Sequence, residues 1–263
     1  MDAAVTAIYR YPVKGLSAEA LERIGLAPRQ CLPHDRRFAV ALATTEFDPD
    51  HPAWLSKRNF LMLMRDEALA RLHTHFAPES GVLTIERDGE VLLEARLSEP
   101  DGQRRIAAFF DEFMGGKVAG PLRIVEAPGH AFADSRPKPN ASTDKYVSLI
   151  NRNSIRDLEA KIGAEVDPIR FRANVYFDGP PAWAEHEWLE REITVSSPGG
   201  NARLRVIATI TRCAATEVNP ATAERDLDIV GGLRRHFGHN LMGIYAEVLN
   251  AGDIAVGDTL SLA

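Results

Sequence analysis

Short apolar stretches separated by turn-forming residues recur along most of the chain, and few are long or periodic enough for a helix. In the first half, residues 3–10, Glu19 to Leu26, Arg37 to Ala43, Val82 to Glu86 and Val91 to Leu97 read as strands. The last two flank Asp88-Gly89, a dipeptide suited to a tight hairpin turn. Leu122 to Val125, Ile169 to Phe177, Glu192 to Ser196, Ala202 to Ile210 and two closing stretches continue the series.

Helical spacing is confined to a few places. Leu69, Leu72 and Phe76 fall at i, i+3 and i+7, which predicts one helical face, with His73 and His75 directed to different sides of it. Ile106, Phe109, Phe110 and Phe113 predict an amphipathic helix ended by Gly115-Gly116. A third helix carries Ile155, Leu158 and Ile162, capped by Asn153 or Ser154 and closed by Gly163; a fourth spans Leu227 to His236 despite Gly231-Gly232. Residues 45–58, with Pro49 and Pro52, read as a surface excursion, and roughly 133–146 as a long polar loop of the kind that serves function or moves. Many strands with few separated helices predict an α+β protein, predominantly β and barrel-based, with an N-terminal β-rich module and a few peripheral helices. The Gly115 to Pro121 stretch marks the expected boundary, giving units of 1–116 and 117–263.

Composition narrows the class. The 263 residues suffice to bury a sizeable core, and 45% hydrophobic with 26% charged residues is ordinary for a soluble globular protein. A net charge of −6 argues against a general nucleic-acid binder, though it leaves room for a local basic pocket. The N-terminus lacks a signal-peptide pattern and no apolar run reaches the length of a membrane span, so a cytoplasmic protein without membrane attachment is expected. Only Cys31 and Cys213 are present, without CxxC spacing, so neither an all-cysteine zinc site nor a four-cysteine iron–sulfur cluster can be built. Two thiols are expected in preference to a disulfide.

The most informative stretch is Ile210-Thr211-Arg212-Cys213-Ala214-Ala215-Thr216-Glu217-Val218-Asn219-Pro220. An apolar run from Val206 delivers Cys213 to the point where a strand ends and a polar loop begins, a place suited to chemistry. A thiolate is a soft ligand and a strong nucleophile, and Arg212 would favour it if its guanidinium pointed the same way. The plain alternative is a small buried hydrophobe.

The run from Cys213 to Thr222 resembles the cysteine motif of the MOSC domain family, the molybdenum-cofactor sulfurase C-terminal-like domains. Tyr11-Pro12-Val13-Lys14-Gly15, Asp35-Arg36-Arg37-Phe38 and Phe171-Arg172-Ala173-Asn174-Val175 resemble the same family in the same order. Gly243-Ile244-Tyr245-Ala246-Glu247-Val248 and Val256-Gly257-Asp258 resemble its closing strands. The resemblance implies a β-barrel MOSC domain preceded by the family's N-terminal β-rich domain. It implies the molybdenum cofactor (molybdenum on molybdopterin), with Cys213 as metal ligand and catalytic sulfur. Arg36 and Arg172 occupy positions implied to contact the cofactor, Lys14 adds charge beside Gly15, and Asn174 suits the pterin edge; Arg212 completes the expected cofactor-binding set.

The family often has Thr-Gly after the motif proline, whereas this chain has Thr222-Ala223, which puts a left-handed turn there in question. The layout resembles the amidoxime-reducing proteins of the family, without their membrane anchor and without a cysteine-bearing iron–sulfur extension. The implied activity is reduction of N-hydroxylated small molecules, with electrons from a separate partner such as a ferredoxin or a flavin or haem protein. A cysteine-based carrier of sulfur or cofactor and a barrel that binds without catalysis are the alternatives. Cys–His hydrolysis is disfavoured because no hydrolase signature surrounds Cys213, and His236 with His239 is too sparse for a metal site.

Overall fold

The computed structural model describes residues 2–118, 120–136 and 138–263. Its strands are β1 (Asp2–Arg10), β2 (Glu19–Leu21), β3 (Arg23–Leu26), β4 (Phe38–Ala41), β5 (His73–Ala77), β6 (Val82–Arg87), β7 (Glu90–Arg96), β8 (Arg123–Glu126), β9 (Val147–Asn151), β10 (Val175–Asp178), β11 (Glu192–Ser196), β12 (Ala202–Thr211), β13 (Leu241–Val248), β14 (Gly252–Ala255) and β15 (Thr259–Leu262). Three helices accompany them among the described residues, α1 (Pro100–Met114), α2 (Arg152–Ile162) and α3 (Ile229–Phe237). The protein is therefore predominantly β, as its alternation of short strands and turns predicts. No helix is long and apolar enough to cross a membrane.

Strands β10, β9, β13, β12, β11, β15 and β1 are hydrogen-bonded in that order, and β1 pairs back to β10 to close a barrel. Closure leaves these strands without a free edge. The start of the chain is thus joined to its end: β1 lies between β15 and β10, and β3 pairs with β14. Strand alternation sorts the side chains. Val147 and Leu149 of β9 and Val175 and Phe177 of β10 fill the core shared with Val206 and Ile244, whereas Ile150 and Tyr176 lie in the cluster beneath α2 and α3. β9 and β10 are parallel, and α2 supplies their crossover. A second core unites α1 with the β5–β6–β7 sheet and the β4–β8 pair, through Phe110, Ile85, Phe76 and Val40 among others.

The glycine pair in α3 has a local cause. The Asp228 carboxylate caps the helix by accepting from Gly231 N at 2.9 Å, and a Cβ at Gly231 would meet that carboxylate at 2.1 Å. A Cβ at Gly232 would meet Ile162 of α2 at 2.8 Å, so the second glycine lets the two helices pack closely.

Three local expectations are corrected. Residues 69–76 are not a helix: a 3-10 turn (Glu67–Arg71) buries Leu69, and β5 then carries Phe76 inward by alternation, so His73 and His75 sit on a strand. The expected strand 169–177 begins as a 3-10 turn (Pro168–Phe171) and becomes extended only at Val175, because Arg172 adopts a left-handed conformation between them. α2 is capped by Asn151, whose side chain accepts from Asn153 N at 3.0 Å, not by Asn153 or Ser154.

Candidate functional site

β12 delivers Cys213 to the mouth of the barrel, where the chain turns into a 3-10 segment (Ala214–Glu217). The turn is fixed from the cysteine itself: both the N–H and the hydroxyl of Thr216 donate to Cys213 O at 3.0 Å. A cleft of ≈ 340 Å³ opens there, lined by Lys14, Gly15 and Arg36 from the first half and Arg172, Asn174 and Cys213 from the second. That volume lies in the range of small-molecule and cofactor sites. Nine lysines and arginines line the cleft against three aspartates, so it is cationic within a protein whose net charge is −6.

Tyr11 organises the two motif arginines. The Arg36 and Arg172 guanidinium carbons lie 4.8 and 4.3 Å from the centroid of its buried ring, an arrangement that holds cations by their attraction to the π system. Both arginines are left-handed, at φ 51° and 52°, a conformation costly for a residue with a Cβ and one that clusters at functional sites. Arg36 is held by the buried Asp35 carboxylate and donates to Arg172 O at 2.8 Å. The Arg172 guanidinium has no hydrogen-bond acceptor and no carboxylate partner among the described residues. A half-buried cation on the wall of a cleft without a protein anion is what an anionic ligand would complete.

Cys213 Sγ accepts from Lys57 Nζ at 3.1 Å. Lys57 also lies 3.7 Å from Asp134, whose carboxylate pairs with the buried Lys14 ammonium. Burial pushes Lys14 below its ordinary range, against the pull of Asp134. For Asp134 the penalty of burial is outweighed by Lys14 and Lys57, which hold its carboxyl below the usual range. Partial burial of Lys57 is likewise outweighed, by its contacts with Cys213 and Asp134, so its ammonium is held above the ordinary range. Cys31, a free thiol, also lines the cleft, but burial pushes it up to about 12. Of the two free sulfurs, Cys213 is the one that accepts from a lysine ammonium, whereas Cys31 donates to Asp35 O at 3.8 Å.

The remaining residues singled out in the sequence take parts in the framework. Arg212 does not point toward the sulfur: its guanidinium donates to Met242 O at 2.9 and 2.6 Å and to Phe171 O at 2.8 Å, tying β12 to β13 and to the Arg172 turn. Asn174 accepts from Ser148 N and Oγ at 3.1 and 2.8 Å and donates to Tyr9 O at 3.2 Å, so its amide braces β1 against β9. Gly15 has φ 82°, and a Cβ there would press on Leu61 O at 3.3 Å. Ala223 adopts φ 61°, so the left-handed turn after the motif proline forms without glycine.

Sequence reasoning missed Lys57 and Asp134. Lys57 lies in the stretch read as a surface excursion, and its partner is 156 residues away. Asp134 stands in the polar loop flagged as functional, whose start is anchored where Phe132 N donates to Arg36 O at 2.8 Å.

Fold and site together define a β-barrel protein with a cationic, thiol-bearing cleft between its sequence halves. The MOSC domain model matches residues 128–261 and the MOSC N-terminal beta barrel domain model matches residues 2–120; the chain belongs to the MOSC domain family. It is 24% identical over 258 residues to a molybdenum cofactor sulfurase of Caenorhabditis briggsae, covering 94% of this chain and 34% of that protein. For the molybdenum cofactor sulfurase of Caenorhabditis elegans the identity is 24% over 256 residues, covering 94% and 33%. The chain spans about a third of the length of these curated relatives. Among solved structures, the YuaD protein from Bacillus subtilis aligns over 100% of this chain and 96% of its own, at 13% identity and a TM-score of 0.46.

Proposed function

We propose that this protein binds the molybdenum cofactor and reduces N-hydroxylated small molecules, using electrons from a separate carrier such as a ferredoxin or a flavin or haem protein. Family membership supports the link to the molybdenum cofactor. The observation that carries the reading is the pairing, in one cleft, of a cysteine sulfur held by Lys57 with an Arg172 guanidinium that has no acceptor among the described residues.

The donor set fits the group. Among the described residues no three His, Cys, Asp or Glu side chains gather as a metal-binding cluster, so a metal held through Cys213 needs its other ligands from a bound cofactor. A pterin dithiolene supplies soft sulfur donors, and its terminal phosphate calls for cations. Arg172, Arg36 and Lys14 would hold that phosphate, each charge-assisted bond contributing about 1.5–3 kcal/mol. Lys57 donates to the Cys213 sulfur, the atom through which a cysteine ligates a metal. Arg212 and Asn174 keep β12, β13, β9 and β1 in register around the cleft. When bound, the cofactor supplies two-electron redox chemistry, by which R–NH–OH with two electrons and two protons yields R–NH2 and water.

The test is reduction of an aryl amidoxime by the cofactor-loaded protein with an artificial reductant. Formation of the amidine, abolished in Cys213→Ala, supports the reading; a molybdenum- and pterin-loaded protein that produces none contradicts it.

A second reading draws on the relatives named molybdenum cofactor sulfurase and on the Lys57–Cys213 contact. Here Cys213 carries sulfur as a persulfide, or hands on the cofactor, without reductase turnover. It requires a sulfane-sulfur adduct on Cys213, seen as a mass increase of one sulfur atom lost on treatment with thiol, together with an inactive amidoxime assay.

A further inference from the structure

Among the described residues, Asp134 is the one acidic side chain that reaches both Lys14 and Lys57. Its carboxylate pairs with Lys14 on one oxygen and lies 3.7 Å from Lys57 on the other. Lys14 and Asp134 differ in freedom: Lys14 is buried at 6% exposure and donates to Phe132 O at 2.9 Å, whereas the Asp134 side chain is half exposed. Its backbone is also lightly held. Phe132 is packed among Phe60 and Phe47, but the N–H groups of Asp134, Ser135 and Arg136 make no hydrogen bond among the described residues. The carboxylate, more than the backbone, holds this part of the loop over the cleft.

We propose that Asp134 is an internal anionic latch: it covers Lys14 and Lys57 and gives way when the anionic end of a ligand enters the cleft. A carboxylate bridging two ammonium groups presents the charge that a phosphate or another oxyanion would present there. Two like charges cannot share a low-dielectric site without cost, so ligand entry drives Asp134 and residues 133–136 outward. Departure of Asp134 releases both lysines in one movement, which couples ligand entry to the cation that touches Cys213. The inference rests on the proposed function only in taking Lys14 as an anion-binding residue.

The experiment is calorimetric titration of the cofactor-free protein with inorganic phosphate and with pyrophosphate, for the unaltered chain and for Asp134→Asn, Asp134→Glu and Asp144→Asn. Asp144 is exposed, lines the same cleft and has no salt-bridge partner among the described residues, so its variant controls for the general loss of negative charge. The latch predicts about tenfold tighter binding in Asp134→Asn, a difference worth about 1.4 kcal/mol, with Asp134→Glu near the unaltered chain and Asp144→Asn within about twofold of it. Phosphate is also expected to raise cleavage by a non-specific protease within residues 133–136 of the unaltered chain. Equal affinities for Asp134→Asn and Asp144→Asn, no measurable binding in any variant, or unchanged cleavage would overturn the proposal. Failure of the cofactor reading is separate: it shows as protein lacking molybdenum and pterin, with phosphate and Asp134 still in competition.

Discussion

Lys57 Nζ stands 3.1 Å from Cys213 Sγ, joining the region matched by the N-terminal barrel model to the region matched by the MOSC domain model. Neither region alone supplies the pair. The sulfur comes from the end of β12, whereas the cation comes from a 3-10 turn (Lys57–Asn59) with no counterpart in the main barrel. The same division holds at the end lined by the two motif arginines, where Arg36 donates to the carbonyl of Arg172. The cleft is thus a product of how the two halves meet.

Arg172 tests the proposed anion binding with little effect on the fold. Its backbone is left-handed, which glycine adopts freely, and its guanidinium has no protein acceptor among the described residues. Arg172→Gly is expected to leave the unfolding midpoint in urea close to that of the unaltered chain. Retention of a phosphate-bearing ligand should fall by roughly ten- to hundredfold, matching the loss of about 1.5–3 kcal/mol for a charge-assisted contact. Phosphate titration of both proteins checks this; equal affinity contradicts it.

Gly243 tests how the barrel supports the site. At φ 78° in β13, a Cβ there would meet Ile150 Cγ1 and Leu149 O, each at 2.5 Å. The preceding carbonyl, Met242 O, receives the Arg212 guanidinium next to Cys213. Gly243→Ala is expected to lower unfolding stability by about 2–3 kcal/mol, from backbone strain and overpacking together. A urea midpoint equal to that of the unaltered chain would contradict this account of β13.

His186 gives a pH signature with a definite sign. Burial, then the neighbouring His239, push its imidazole from the ordinary 6.5 down to about 4. Between those values the unfolded chain binds a proton that the native state resists, so this group removes stability as pH falls from 6.5 toward 4. Melting temperatures across that interval should drop more steeply for the unaltered protein than for His186→Gln. Parallel curves would contradict the assignment.

Much of this was legible in the sequence, and the failures have identifiable causes. The strands Val82–Arg87 and Ala202–Thr211 and the helix ending at Gly115 follow from alternation and turn chemistry, whereas β9 (Val147–Asn151), buried at every position, shows no alternation and went unpredicted. Lys14, Arg36, Arg172 and Cys213 do line one cleft. The helix expected over Leu69, Leu72 and Phe76 fails because three apolar residues in an eight-residue window suit a 3-10 turn followed by a strand equally well, and tertiary packing decides. Lys57 carries no periodic signal in a proline-bearing stretch, and its role arises only from a contact across 156 residues. Arg212 shows the converse: adjacency in sequence to Cys213 says nothing about direction, since successive side chains leave a strand end on opposite faces.

The central claim is that the Cys213 sulfur holds a molybdenum-bearing cofactor in the cleft. Its most direct measurement is the molar content of molybdenum and of oxidised, fluorescent pterin in protein purified from a cofactor-sufficient host, for the unaltered chain and for Cys213→Ala. The account predicts about one of each per chain in the unaltered protein, with metal lost and pterin sharply reduced in the variant, while Cys31→Ala retains both. Equal loading of the unaltered chain and Cys213→Ala, or no metal and no pterin in either, would contradict it.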